Sequence, residues 1–196
     1  NSLRSWSYFP LAAGIQGYAN VAAFGIDGCN SMLFGESMNT DKLCFIVTGD
    51  LAFFYDMNVL GIRHLKNNIR VLLINNGGGA EFKIMTGAWK ENPHVERYIS
   101  ANGHYGSTKG WAENCGFKYL TVSNKDEFTE VSSQFLDYSE QPVVLEVFTK
   151  EDDDALAVKT LIEANRHFSD SDKMKKILTN VIGEKGVKMI RSIIGK

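Results

Sequence analysis

Apolar runs of strand length alternate along the chain with stretches of helical period. Leu43-Cys44-Phe45-Ile46-Val47-Thr48 is almost wholly apolar and ends at Gly49-Asp50. Asp56 predicts the N-cap of a helix to about Lys66, with Met57, Leu60 and Leu65 at helical spacing. Val71-Leu72-Leu73-Ile74 predicts a second strand, closed by Asn75-Asn76-Gly77-Gly78-Gly79. A long region with glycines and aromatics follows, to about Gly106. A helix is then predicted from Ser107 to Cys115, stopped by Gly116, and a short strand from Tyr119 to Val122. Ser123-Asn124 caps a helix to about Tyr138, and Pro142 introduces a strand from Val143 to Phe148. Thr149-Lys150-Glu151-Asp152 has the form of a capping box ahead of a helix through about Arg166.

Strands that are apolar at successive rather than alternate positions suit a sheet covered on both faces. The expected class is therefore α/β, a doubly wound parallel sheet with helices on both faces. The last residues differ in character. Met174, Ile177, Leu178, Val181 and Ile182 fall at helical spacing, as do Met189, Ile190, Ile193 and Ile194, on either side of Gly183-Glu184-Lys185-Gly186. This divides the chain into a domain over 1–168 and a C-terminal helical appendage over 169–196.

Composition narrows the function. Of 196 residues, 44% are hydrophobic and 22% charged, ordinary values for a folded globular chain, and the formal net charge is −2. That balance supplies no basic footprint for nucleic acid or an anionic membrane surface. No apolar run approaches the roughly 18–20 residues that span a bilayer. Cys29, Cys44 and Cys115 show no C-x-x-C spacing, so buried free thiols in the cytoplasm are expected. The chain opens Asn1-Ser2-Leu3 with no initiator Met, which reads as a piece of a longer polypeptide.

Ligands of open parallel sheets bind beyond the carboxyl ends of strands. Gly49-Asp50 and Asn75-Asn76-Gly77-Gly78-Gly79 stand at two such ends, one βαβ repeat apart. The Asp50 carboxylate, the Asn76 amide oxygen and the Gly78 carbonyl would form a hard, oxygen-only ligand set. Such a set suits Mg²⁺ (or Mn²⁺) holding a diphosphate. Each half alone is also an ordinary turn signal. The other candidates are weaker. His64, His94, His104 and His167 have no metal-ligand spacing, and no G-x-S-x-G elbow accompanies them. His64 reads as a solvated imidazole on the helix after Asp50. Phe82, Trp89, Tyr98, His104 and Tyr105 form either a lid or a packing surface for a neighbouring subunit. The acidic run Glu151-Asp152-Asp153-Asp154 reads as a favourable helix N-terminus. Gly77-Gly78-Gly79-Ala80-Glu81-Phe82 does not supply the G-x-G-x-x-G of a nicotinamide site.

Gly49-Asp50-Leu51 followed by Asn75-Asn76 resembles the signature of the thiamine-diphosphate enzymes. Asn1-Ser2-Leu3, Tyr18-Ala19-Asn20, Gly25-Ile26-Asp27-Gly28 and Gly49 to Asn58 are similar, in order, to the diphosphate-binding C-terminal domain of the menaquinone-pathway branch. The resemblance implies a 2-oxo acid decarboxylase or carboligase using thiamine diphosphate and Mg²⁺ or Mn²⁺. It implies Asp50, Asn76 and Gly78 as the cation site, and Gly25, Ile26, Asp27, Gly49, Leu51 and Ala52 as further cofactor-binding residues. Ile26 would be the bulky side chain beneath the cofactor, whereas periodicity alone favours a core isoleucine before a helix cap at Asp27. Ser2 and Arg4 are the implied substrate contacts. The activating Glu would come from a pyrimidine-binding domain of the same parent chain or of a second subunit, so a homo-oligomer is implied and this chain alone would be inactive. Trp6 and Val21 stand where that branch carries basic residues. They point to the alternatives: a paralogue with a less anionic substrate, or a domain that keeps the fold without turnover.

Overall fold

The computed structural model describes residues 2–21, 25–84, 104 and 106–165. The chain divides into two compact units, Asn1–Leu161 and Ile162–Lys196. The helical appendage expected over 169–196 lies outside the described residues, as do Trp89, His94, Tyr98, Tyr105 and His167.

After a short helix α1 (Ser2–Trp6) and an irregular stretch, α2 (Cys29–Met38) leads to β1 (Cys44–Gly49) and α3 (Asp50–Tyr55). A 3₁₀ turn (Met57–Gly61) precedes β2 (Ile69–Asn75) and the single-turn α4 (Glu81–Ile84). Then come α5 (Lys109–Asn114), β3 (Lys118–Val122), α6 (Lys125–Leu136), β4 (Val143–Phe148) and α7 (Glu151–Ala164). The described strands form one parallel sheet in the order β1-β2-β4-β3. As expected, β1 and β2 are neighbours, with Gly49 beside Ile74. Asn75 lies beside Phe148. The carboxyl ends of β1, β2 and β4 therefore finish level with one another.

The strand sequences separate into two cores by simple alternation. Ile69, Val71 and Leu73 of β2 and Val144 of β4 point to one face, where they pack with Leu33 and Phe34 of α2, Phe53 of α3, Ala112 of α5 and Phe117. Val143 and Leu145 of β4 and Val122 of β3 point to the other, against Phe135 of α6, with Leu72 and Val131 alongside. Phe34, Phe53, Leu60, Ile69, Val71, Leu73 and Leu145 are fully buried, each worth about 1.5–3 kcal/mol relative to exposure. Continuous apolar strands and a sheet covered on both faces are one fact seen at two levels.

Arg70 is the exception on the α6 side. It is 1% exposed, and its guanidinium donates to the carbonyls of Phe135 (2.8 Å) and Asp137 (2.8 Å) at the end of α6, and to those of Asn67 (2.8 Å) and Ile69 (3.0 Å). Helix ends carry unpaired carbonyls and partial negative charge, and a buried cation satisfies both. Burial lowers its pKa from the ordinary arginine value.

Several local expectations are corrected. The helix after β1 starts at Asp50 and is over by Tyr55, so it does not run from Asp56 to Lys66. Asp56 accepts instead from the Ser31 backbone N–H (2.6 Å) and hydroxyl (2.6 Å), serving the first turn of α2 rather than capping its own helix. His64 consequently lies in an exposed turn. α2 itself escapes the pattern, because its buried residues include Asn30 and Ser37, and apolar spacing alone does not mark it. α5 is shorter than Ser107–Cys115 because the Ser107 hydroxyl and the Thr108 N–H are drawn to Glu146. Asn124 behaves as expected: its side chain accepts from the Glu127 N–H (3.0 Å), and the Glu127 carboxylate accepts from the Ser123 N–H (2.7 Å).

Candidate functional site

The carboxyl ends of β1 and β2 meet at Asp50. This residue opens α3 directly after β1 and is 2% exposed, so its carboxylate needs partners. Oδ1 accepts from the Leu51 N–H at 2.7 Å. Oδ2 accepts from the Gly77 N–H at 2.8 Å, which ties the end of β1 to the loop after β2. Oδ2 also lies 2.9 Å from His104 Nε2. The Gly106 N–H donates to His104 Nδ1 (3.1 Å), so Nε2 carries the proton and donates to Asp50.

The loop after β2 is held as tightly. Gly77 has φ +83°, a left-handed conformation suited to glycine, and its carbonyl accepts from the His104 N–H at 3.2 Å. The Asn76 Oδ1 accepts from the Gly78 N–H (3.2 Å), and its Nδ2 donates to Asp154 Oδ2 (2.7 Å). A Cβ on Gly78 would lie 2.5 Å from the Glu151 Oε1, so the Glu151 side chain would have to shift to admit one. Asn75, 3% exposed, donates to the Gly106 carbonyl (2.8 Å) and to Glu146 Oε1 (2.8 Å).

Glu146 anchors this arrangement from β4. Fully buried, it accepts from Asn75, from the Ser107 hydroxyl (2.7 Å), from the Tyr119 hydroxyl (2.6 Å) and from the Thr108 N–H (3.3 Å to each oxygen). Burial, followed by the bond to Glu146, pushes the Tyr119 hydroxyl pKa up. Asn75 and the 106–108 segment are thus strapped to one buried carboxylate.

Acidic residues at the start of α7 border the same loop. Asp154 Oδ2 takes the Thr149 hydroxyl (2.8 Å) as well as Asn76, so the expected capping box does not form as such. Lys83 of α4 pairs with Glu151 (3.0 Å) and Asp152 (2.9 Å). Burial pulls the Lys83 ammonium down, and its bonds to Asp152 and Glu151 outweigh that, leaving it raised. The acidic run is therefore part of the loop's support as well as a favourable helix N-terminus.

The remaining sequence candidates lie in two further places. Gly25 and Gly28 have φ +74° and +67° and bracket Ile26 and Asp27 in a turn. A Cβ on Gly25 would stand 2.6 Å from the Asn20 carbonyl oxygen. Asn20 Nδ2 donates to the Asp27 carbonyl, and the Cys29 thiol donates to that of Gly25 (3.0 Å). Ile26 is 36% exposed at this turn. α2, which follows it, is joined to α3 by Asn30 Nδ2 donating to the Phe53 carbonyl (3.1 Å). Arg4 of α1 forks onto Glu81 of α4, with both terminal nitrogens 3.0 Å from a carboxylate oxygen. The bond to Glu81 raises its pKa.

Asp50, Asn76 and Gly78 are thus gathered at one sheet edge, with Gly49, Leu51 and Ala52 beside them in the chain. His104, Glu146 and Asp154 are the residues that sequence spacing missed, being 54, 71 and 78 positions from the groups they bond. Among the described residues no cluster of three His, Cys, Asp or Glu side chains could hold a metal ion. From the described residues, a cation here would draw on amide and carbonyl oxygens as well. The donor set fits a hard cation: one buried carboxylate, an amide oxygen with a second lone pair, and a glycine carbonyl.

No helix among the described residues is long and apolar enough to cross a membrane. Residues 3–147 match the family described as thiamine pyrophosphate enzyme, C-terminal TPP binding domain. Curated relatives named 2-succinyl-5-enolpyruvyl-6-hydroxy-3-cyclohexene-1-carboxylate synthase align over most of the chain. That of Bacteroides thetaiotaomicron is 39% identical over 80% of this chain and 28% of its own length. That of Bacteroides fragilis is 37% identical over 81% and 29%. That of Christiangramia forsetii is 32% identical over 76% and 26%. The chain thus spans less than a third of the length of these relatives. With the Gly-Asp and Asn-Asn halves of the signature joined through Asp50 and Gly77, the chain belongs to the C-terminal thiamine-pyrophosphate-binding domains of the thiamine pyrophosphate enzymes.

Proposed function

We propose that this chain is the diphosphate-binding half of the active site of a thiamine-diphosphate-dependent 2-oxo acid decarboxylase or carboligase of the menaquinone pathway. The observation that carries the reading is the 2.8 Å bond from the Gly77 N–H to Asp50, which makes one edge of two loops. Asp50, Asn76 and the Gly78 carbonyl would hold Mg²⁺ or Mn²⁺. Gly49, Leu51, Ala52, Gly25, Ile26 and Asp27 would contact the cofactor. When bound, thiamine diphosphate supplies the electron sink for decarboxylation. The protein's part is position and charge. The Leu51 and Gly77 N–H groups and His104 hold the Asp50 carboxylate in place, and the 75–78 loop is tied to it through Gly77.

The activating Glu would come from a pyrimidine-binding domain elsewhere in the parent chain or in a second subunit of a homo-oligomer, and the enzyme would work in the cytoplasm. Ser2 and Arg4 would meet the substrate. A substrate carboxylate would have to compete with Glu81 for the Arg4 fork. Together with Trp6 and Val21, this favours a second reading within the class, a synthase acting on a less anionic substrate.

Thermal unfolding with thiamine diphosphate and Mg²⁺, separately and together, tests the cofactor site. A ligand at about 100 times its Kd raises stability by about 2.7 kcal/mol. A rise that needs both components and vanishes in Asp50→Asn supports the reading. No rise in the full-length parent protein sinks it.

A further inference from the structure

An Asn side chain can serve a cation only through its oxygen, yet its oxygen and nitrogen differ little in size. Something has to decide which one faces the 76–78 loop. In this chain Asn76 Nδ2 donates to Asp154 Oδ2 at 2.7 Å while Oδ1 accepts from the Gly78 N–H at 3.2 Å. Turning the amide over would set its oxygen against the Asp154 carboxylate and its NH₂ against the Gly78 N–H. Both contacts would become repulsive at once. The Asp154 oxygen is itself fixed, because it also accepts the Thr149 hydroxyl at 2.8 Å. The Thr149 N–H is anchored in turn on the Asn75 carbonyl at 3.0 Å, beside the residue it serves.

We infer that Asp154 is a positioning residue: it fixes the amide of Asn76 with its oxygen turned into the cation loop. The inference rests on the cation reading proposed above and extends it to a residue 78 positions away that offers no ligand of its own. Asp154 acts as an acceptor of correct geometry rather than as a charge. Partners of this kind behind metal ligands are typically worth about 10–100-fold in metal affinity.

Titration of the full-length parent protein with Mn²⁺ in the presence of thiamine diphosphate, read by the electron paramagnetic resonance of free Mn²⁺, tests this without turnover. Asp154→Ala is expected to weaken Mn²⁺ binding by about 10–100-fold. Asp154→Asn keeps an oxygen that can accept from both Asn76 and Thr149, and should retain most of the affinity. In an Asn76→Ala background the Asp154→Ala change should cost nothing further. Asp154→Ser, too short to reach Asn76, repeats the test if the alanine variant fails to fold. Unchanged affinity in Asp154→Ala, or a loss in Asp154→Asn as large as in Asp154→Ala, would overturn the inference while Asp50→Asn still abolished binding. If the unmodified parent protein binds no Mn²⁺ and matches Asp50→Asn, the cation reading itself fails and the inference falls with it.

Discussion

Replacing Glu146 by leucine removes the acceptor for four donors at once, of which the Thr108 N–H and the Asn75 amide are buried while Ser107 is exposed and Tyr119 half-buried. The carboxylate is 0% exposed and takes Asn75, Ser107, Tyr119 and the Thr108 N–H. Three of these keep something after the change. Asn75 still reaches the Gly106 carbonyl, and the Ser107 and Tyr119 hydroxyls still face each other at 3.4 Å. The Thr108 N–H is left with no acceptor, in a residue 1% exposed. A buried donor without a partner costs about 1–3 kcal/mol, and hydrogen bonds to a charged group are worth about 1.5–3 kcal/mol each. Relief of the buried charge offsets part of the loss. The expected net destabilisation is about 3 kcal/mol, a large share of the roughly 5–15 kcal/mol that holds a domain together. Glu146→Gln keeps one carbonyl oxygen for Thr108 and Asn75, and both hydroxyls can rotate to accept from its NH₂. It should cost about 1 kcal/mol. Urea unfolding checks both values, the midpoint shifting while the slope is unchanged. A leucine variant as stable as the unmodified chain would refute the reasoning. Equal losses for Gln and Leu would show that charge, and not donor satisfaction, is what Glu146 supplies.

Tyr119 has its pKa raised in the folded chain, so its protonated form is stabilised by folding. That contribution is whole below the unfolded tyrosine value of about 10 and is lost as pH climbs through the folded value. Unfolding midpoints measured from pH 9 upward should therefore fall, and Tyr119→Phe should flatten the slope. Arg70→Met orphans the Phe135 and Asp137 carbonyls at the end of α6. A loss of about 2–4 kcal/mol is expected by denaturant unfolding, and Arg70→Lys should recover only part of it, since one ammonium cannot span the fork. Gly77→Ala forces a Cβ into a φ of +83°, at about 1–2 kcal/mol, with its Cβ 3.3 Å from the His104 carbonyl oxygen. Amide exchange should accelerate in the 76–78 loop and stay unchanged in β4. Cys29 and Cys44 are buried with thiol pKa values raised by desolvation, so alkylation near neutral pH should be slow and should reach the half-buried Cys115 first.

The sheet was legible because strands covered on both faces are apolar at successive positions, and such runs survive in the central β2 and β4 and, although Phe45 is exposed, in β1. The meeting of Asp50 with the 75–78 loop was legible too, since each stands directly after one of two neighbouring strands. The capping of α6 could be read because its two bonds span only three or four positions. Asp56 shows where local reading stops. Its residue type fits a helix start, but the Ser31 N–H and hydroxyl of another helix are better partners than its own backbone. Likewise, nothing near His104 or Asp154 in the chain announces their bonds to Asp50 and Asn76, and Glu146 reads as a polar lapse in an apolar strand. Local propensity acts over a turn or two, whereas a buried carboxylate or amide takes whatever donor or acceptor the packed sheet brings within 3 Å. The sequence by itself determined the strands and the candidate residues that stand at their carboxyl ends. Only the tertiary structure decided which distant side chains hold those residues in place, because that choice depends on which groups lose water together.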